Sequence, residues 1–165
     1  MEVEVVENPA QLATDAALAA AIDKLGERSA AAQHLNHAIT SAALFTTHAI
    51  PQQQKLYVAV DASNRSIMGF LKTGMKHLFY VDRKGIYTEM DPLCVLDVFV
   101  DERYQRQGVG LRLFQRLLEV EHVQLSHLAY DRPSPKLFAF LKKHADLEQF
   151  AQQPNNFVIF DDYFQ

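Results

Sequence analysis

The chain has 165 residues, 48% of them apolar and 22% charged, a length that suits one core and a balance typical of globular chains. A formal net charge of −4 excludes a global electrostatic drive toward nucleic acid or an anionic membrane. The single cysteine, Cys94, excludes an intramolecular disulfide and a cysteine-rich metal site, and no stretch nears the roughly 18 apolar residues of a membrane span. The expectation is one domain over residues 1–165, monomeric, in a reducing compartment, with no metal, membrane or nucleic-acid partner.

Residues 2–7 are acidic and alternating, which predicts a strand and not a signal peptide. Asn8-Pro9 breaks it. From about Ala10 to His34, Leu12, Leu18, Ile22 and Leu25 fall near helical spacing. That predicts one long helix, or two broken at Gly26. Residues 35–54, with Asn36, Thr40, Ser41, Pro51 and a Gln triplet, read as a long loop. Lys55–Val60, Ser66–Lys72 and Lys76–Asp82 read as strands of a meander, with Ile86–Met90 extending the last hairpin. Leu93–Val100 is a strongly apolar strand. Helical spacing follows from Arg106 to about Glu121, then a strand over Leu125–Tyr130, an amphipathic helix over Ser134–His144 and a final strand over Asn156–Phe160. A meander feeding a β-α-β-α-β run predicts a mixed α/β fold, a twisted sheet flanked by helices.

The junction after the apolar strand carries the clearest chemistry. It reads Gln105-Arg106-Gln107-Gly108-Val109-Gly110-Leu111. The first amides of a helix lack intrahelical partners and sit at the positive end of its dipole. Glycines let a ligand approach the backbone, so a pyrophosphate can bind there, with Arg106 adding side-chain charge. A dinucleotide fingerprint would need a third glycine where Leu113 stands, and a P-loop would need a Gly-Lys-Ser/Thr end. Neither is present.

Gln105-x-x-Gly108-x-Gly110 resembles the acyl-CoA pyrophosphate motif of the GNAT acetyltransferase superfamily. Further segments resemble the α-tubulin N-acetyltransferase family. They are Asp131-Arg132-Pro133-Ser134 with Lys136-Leu137, Phe140-Leu141 with Lys143-His144, Asn155 to Phe160, Pro92 to Asp97, Gly69 to Gly74, and Gln33 with Ile39 to Ser41. The likeness spans about residues 2–164. Val98-Phe99 stands where the family often has Phe-Tyr, which alters the strand beside the cosubstrate without removing a catalytic group.

The resemblance implies a GNAT fold, acetyl-CoA as cosubstrate and transfer to a lysine of α-tubulin in the microtubule lumen, hence a cytoplasmic protein of the cytoskeleton or cilium. It implies that strands 93–100 and 125–130 splay around the pantetheine, so that Val98, Phe99 and Val100 line it, with a backbone amide near them facing the developing oxyanion. Ser134, Lys136, Leu137, Phe140 and Lys143 are implied on the far side of the cosubstrate, with Lys142 a further phosphate contact. Asp131 maps onto the family's catalytic aspartate, Cys94 onto its active-site cysteine and Gln33 onto a glutamine needed for activity.

The chemistry sets the demand. A free lysine has a pKa near 10.4, so deprotonating it at pH 7 costs about 4–5 kcal/mol. A general base or a desolvating pocket must help. By spacing alone, Asp131 reads equally as a cap of the next helix or a partner of Arg132, and Cys94 as a small buried residue. Asp97, three residues beyond Cys94, has the opposite strand parity and reads as structural. Lys72 and Lys76, with His77, Arg83 and Lys84, read as a hairpin cluster that could meet an acidic tubulin surface, with Arg132 close to the same substrate. Two other functions remain open at this point: a GNAT enzyme of a small amine or protein N-terminus, and a non-catalytic microtubule-binding module.

Overall fold

The computed structural model describes residues 1–165. Strand β1 (Glu2–Val6) pairs antiparallel with β2 (Lys55–Val60), β2 with β3 (Ile67–Met75), and β3 with β6 (Leu93–Val100). Strand β7 (Ala129–Asp131) lies parallel to β6, and β8 (Phe157–Val158) returns antiparallel to β7. The six-stranded order is therefore β1-β2-β3-β6-β7-β8. Strands β4 (Leu78–Val81) and β5 (Tyr87–Met90) form a separate two-stranded hairpin and do not continue the meander as expected.

The helices cover both faces. On one face α4 (Val109–Glu121) turns Val109, Leu113, Phe114 and Leu117 into a core shared with Tyr57, Leu71, Val95, Tyr130 and Leu141 of α5 (Pro135–Ala145). Apolar residues at i, i+4 and i+8 make that face, and each fully buried side chain contributes about 1.5–3 kcal/mol. On the other face α2 (Ala16–Ala32) lays Ile22 and Leu25 on Leu56, Val58, Phe70 and Phe99. A smaller core of Leu78, Tyr80, Cys94, Leu96, Ala129 and Ile159 seats the hairpin. No helix is long and apolar enough to cross a membrane.

Three local expectations need correction. The N-terminal helix breaks at Asp15, not Gly26. A short α1 (Ala10–Ala13) ends at Thr14, and Asp15 caps α2 by accepting from the Leu18 amide at 3.0 Å. The region read as a long loop contains α3 (Ala42–His48), capped by Ser41, which accepts from the Leu44 amide. Seven residues are too few to show a periodic face. The strand expected over 125–130 begins as a 3₁₀ turn (Leu125–His127), because the Tyr130 hydroxyl folds back to donate to the Leu125 carbonyl at 2.6 Å.

Candidate active site

The glycine turn folds as a row of bare amides. Asp101 ends β6 and accepts from the Arg103 amide, opening a 3₁₀ turn (Glu102–Tyr104). Arg106 (φ 66°) and Gly108 (φ 80°) then take left-handed conformations and α4 starts. Among the protein's hydrogen bonds none has a backbone N–H from Gln105 to Leu111 as donor, and the first in the helix is Arg112 N–H to Gly108 O at 3.0 Å. A run of outward amides in such a turn makes an anion-binding concavity. A Cβ placed on Gly108 or Gly110 would meet nothing within 4 Å, so the space over the turn is open to a ligand. The residues present therefore fit a pyrophosphate-bearing acyl-CoA.

The side chains around this turn are fixed. Gln105 Nε2 donates to the Val100 carbonyl at 3.0 Å, and Lys136 Nζ donates to Gln105 Oε1 at 3.4 Å, linking α5 to the turn. Ser134 caps α5 by accepting from the Leu137 amide. Leu137 is buried, while Phe140 stacks obliquely on Phe114, ring centres 5.0 Å apart. Lys143 is exposed. Lys142 is turned away to Asp146 and Glu148.

Strands β6 and β7 pair only at Cys94–Ala129 and Val95–Tyr130. Beyond that point β6 runs on to Val100 while β7 stops at Asp131, so the edge of β6 from Leu96 to Val100 has no partner strand on the β7 side. Val98 and Val100 stay half-buried there, and Phe99 is buried on the α2 side.

Asp131 ends β7 where the strands part. The next residue, Arg132, has a φ of 43° and donates its amide to the Asn156 carbonyl at 3.1 Å. A non-glycine residue held there stores on the order of 1 kcal/mol of strain. Arg132 Nε lies 3.4 Å from Asp131 Oδ1, and the Asp131 side chain keeps 20% of its surface open. Burial pushes the Asp131 carboxyl above the usual carboxylate range, against the pull of Arg132 and Lys76.

Cys94 shares the upward push of burial but keeps no open surface. It is fully buried, its thiol donates to the Pro92 carbonyl at 3.4 Å, and burial together with the Asp131 charge pushes it up to about 12. At neutral pH it is a thiol, and the thiol is not the nucleophilic form.

Beside Cys94 and Asp131 lies a polar cluster that spacing did not reveal. Strands β3 and β6 slip register between Lys72–Asp97 and Thr73–Val95, leaving Leu96 unopposed. This bulge resets the alternation. Val95, Val98 and Val100 pack toward α4, whereas Cys94, Leu96, Asp97 and Phe99 turn to the opposite side. Strand parity therefore does not set Asp97 apart from Cys94, contrary to expectation. Asp97 is buried and accepts from Ser29 Oγ (3.0 Å), Gln33 Nε2 (3.0 Å) and Thr40 Oγ1 (2.6 Å). Gln33 closes α2 and also donates to Ser29 Oγ at 2.9 Å. An aspartate inside an otherwise apolar strand was the signal available in the sequence.

Lys72 also needs correction. It belongs to β3, not the hairpin, and it is buried with its ammonium donating to the Ile39 carbonyl. It is therefore no surface contact. Of the other expected cations, Lys76 is half-buried beside this cluster, Arg83 is paired with Asp161, and His77 lies between Asp91 (2.8 Å) and Glu89 (3.0 Å).

Known proteins resemble this chain along its whole length. A family model described as "GNAT acetyltransferase, Mec-17" matches residues 2–165. An alpha-tubulin N-acetyltransferase of Phytophthora infestans is 56% identical, with 100% of this chain and 98% of the relative covered. One from Tetrahymena thermophila is 47% identical over 87% of this chain and 35% of its own length, and one from Danio rerio is 44% identical over 87% and 48%. The chain thus spans half or less of those two longer relatives. Among solved structures, an aminoglycoside acetyltransferase from an uncultured soil metagenomic sample superposes with a TM-score of 0.59 at 14% identity, covering 92% of each chain. A point mutant of KacT gives 0.57 at 14% identity, covering 96% of this chain and 94% of that one. These two speak for the fold, which is the mixed α/β GNAT architecture expected. More than half of its residues coincide with those of a full-length relative, and the chain belongs to the Mec-17 family of GNAT acetyltransferases.

Proposed function

We propose that this acetyltransferase moves the acetyl group of acetyl-CoA to the α-tubulin lysine that faces the microtubule lumen, by direct transfer in a ternary complex. The observation that carries the reading is the combination of seven successive unpartnered amides, Gln105 to Leu111, with a partly exposed carboxylate at Asp131 where the strands part. The names of the relatives supply the substrate.

Acetyl-CoA, when bound, supplies the activated acetyl thioester. The amides of residues 105–111 bind its pyrophosphate, and Lys136 and Lys143 stand on the α5 side of it. Leu137, Phe140 and the exposed edge of Val98–Val100 keep water from the reacting atoms. An unpaired amide of that edge is available to a developing oxyanion. Asp131 takes the proton from the acceptor ammonium. Its burial strengthens it as a base, and Arg132 and Lys76 keep it ionised. Cys94 remains protonated and shapes the wall beside the acceptor. Gln33 and Lys76 border the acceptor entrance, and the setting of the reaction is the cytoplasmic microtubule.

The test follows CoA release from acetyl-CoA with polymerised tubulin, with a polyamine or with an aminoglycoside. Release with microtubules, together with acetyl-lysine on α-tubulin, is expected. Release with the small amines alone overturns the substrate assignment. No release with any acceptor, despite acetyl-CoA binding, leaves a docking module instead.

A further inference from the structure

The mechanism above gives no task to Asp97, the buried carboxylate next to the site. Its three donors come from two separate segments. Ser29 and Gln33 lie on the last turn of α2, and Thr40 lies in the irregular stretch between α2 and α3. On the adjacent strand its register partner is Lys72, whose ammonium donates to the Ile39 carbonyl, one residue before Thr40. Residues 33–41 have no helix or strand of their own; backbone bonds to the end of α2 hold Gln33, His34 and Leu35, and these side-chain bonds fix the stretch at Ile39 and Thr40.

A third observation points the same way. A Cβ at Gly26 would stand 1.8 Å from the Thr40 carbonyl oxygen. The stretch therefore lies directly on the α2 backbone, an approach only glycine permits. The Ala42 amide, two residues on from Thr40, donates to Asp23 of the same helix at 2.7 Å.

We propose that Asp97 is a positioning residue for the transfer: gripped by Ser29, Gln33 and Thr40, it holds the 33–41 stretch and the Lys72 ammonium in place beside Asp131. Thr40 and Gly26 serve the same end, one by its hydroxyl and the other by its missing side chain. The inference rests on the acetyl-transfer reading above for its kinetic consequences alone. Lys72, Asp97 and Asp131 sit on three neighbouring strands, β3, β6 and β7. The groups that face the Lys72 ammonium are Asp97 from β6, Asp131 from β7 and Lys76 just beyond β3. Burial lowers the Lys72 ammonium, Asp97 is the largest influence that opposes this, Asp131 adds to it, and Lys76 works against both. Removing the Asp97 charge leaves a buried lysine with a weaker hold on its proton and on the Ile39 carbonyl.

The experiment uses the full chain and four variants, D97N, T40V, T40S and G26A. It measures kcat and KM for polymerised tubulin, the acetyl-CoA Kd by calorimetry, and the Lys72 titration by NMR of the side-chain nitrogen. Asparagine keeps the shape of Asp97 and loses its charge. Expected are a kcat at least about tenfold lower in D97N, T40V and G26A, with the acetyl-CoA Kd within about twofold of wild type, and recovery to within about threefold in T40S. Lys72 is expected to titrate at lower pH in D97N than in wild type. A folded D97N with wild-type kcat and an unmoved Lys72 titration overturns the proposal. If D97N does not fold, equal kcat values for T40V and T40S overturn it. Should wild type turn over no tubulin while Lys72 still responds to D97N, the positioning network stands and the substrate reading falls.

Discussion

The turn at residues 105–111 and the polar cluster around Asp131 and Asp97, which the proposed function gives adjacent tasks, are built from opposite materials. The turn offers backbone: seven amides without partners, two glycines with open space above them, and left-handed φ values at Arg106 and Gly108. Everything it needs lies within seven consecutive residues. The cluster offers side chains: Gln33 from the end of α2, Thr40 from the stretch after it, Lys72 from β3, Cys94 and Asp97 from β6, and Asp131 from β7. Local geometry suffices for the turn, whereas the cluster takes side chains converging from five places, with its charges on three strands, Lys72 on β3, Asp97 on β6 and Asp131 on β7. The helix α2 touches both, because Arg28 grips Asp101 at the head of the turn while Ser29 and Gln33 grip Asp97.

This contrast predicts that damage to the cluster reduces turnover and damage to the turn reduces cosubstrate binding. The largest effect belongs to Asp131→Asn. Turnover should fall by about 10²–10⁴-fold, the range for loss of a general base, with acetyl-CoA binding within about twofold by calorimetry. In the wild type, activity should decline as pH falls through a value above the usual carboxylate range, since the proposed role needs Asp131 ionised and burial raises its pKa. An acid limb that persists unchanged in Asp131→Asn would assign the base elsewhere.

Next comes Gly110→Leu, which places a side chain in the open space above the turn. We expect the acetyl-CoA Kd to rise by at least about tenfold, equivalent to about 1.4 kcal/mol. The melting temperature should stay near wild type. A drop in stability with intact binding would show that the turn is structural and break the contrast.

Asp101→Asn tests the link between the regions. Asp101 is buried, with Arg28 on one side (3.0 and 3.3 Å) and Arg103 on the other. Both arginines keep some solvent, so the loss should be about 2 kcal/mol by urea denaturation, below the cost for a fully buried pair. The arginines hold the Asp101 carboxyl well below its ordinary range, Arg103 most strongly. A depressed native pKa adds stability above the unfolded value of about 3.9 and loses it as pH falls further. The gap between wild type and variant should therefore be full at neutral pH and close only in strong acid.

The smallest effect is expected for Cys94→Ala. Burial pushes the Cys94 thiol up to about 12, which under the proposed function leaves it outside the proton path, so kcat should change by less than about tenfold, with stability down by about 1 kcal/mol. Native Cys94 should also resist iodoacetamide until the chain unfolds. Rapid alkylation, or an alkaline limb lost with the thiol, would return Cys94 to the proton path.

Much of the fold was legible because its patterns are local. The strands expected at 93–100 and 55–60 match the structure closely, and the helix expected from Arg106 to about Glu121 forms from Val109 onward. Misreadings arose where distant partners decided. Gly26 looked like a helix breaker and sits inside α2, because the Thr40 carbonyl fills the place of its side chain. Lys72 looked like a hairpin cation and is buried, because β3 extends past it to Met75 while the hairpin folds as its own sheet.

Residue order alone was enough to specify the turn of free amides at 105–111, since glycine spacing before an apolar-faced helix dictates which amides lack partners. Through its resemblances it also specified the family and named Asp131, Cys94 and Gln33. How those residues differ from one another came from the folded chain. The bulge at Leu96 turns Asp97 toward α2, burial keeps Cys94 a thiol, and the parting of β6 from β7 leaves Asp131 partly exposed. Desolvation and the charges of neighbouring strands set a side chain's chemistry, and both arise when segments far apart in the chain come together.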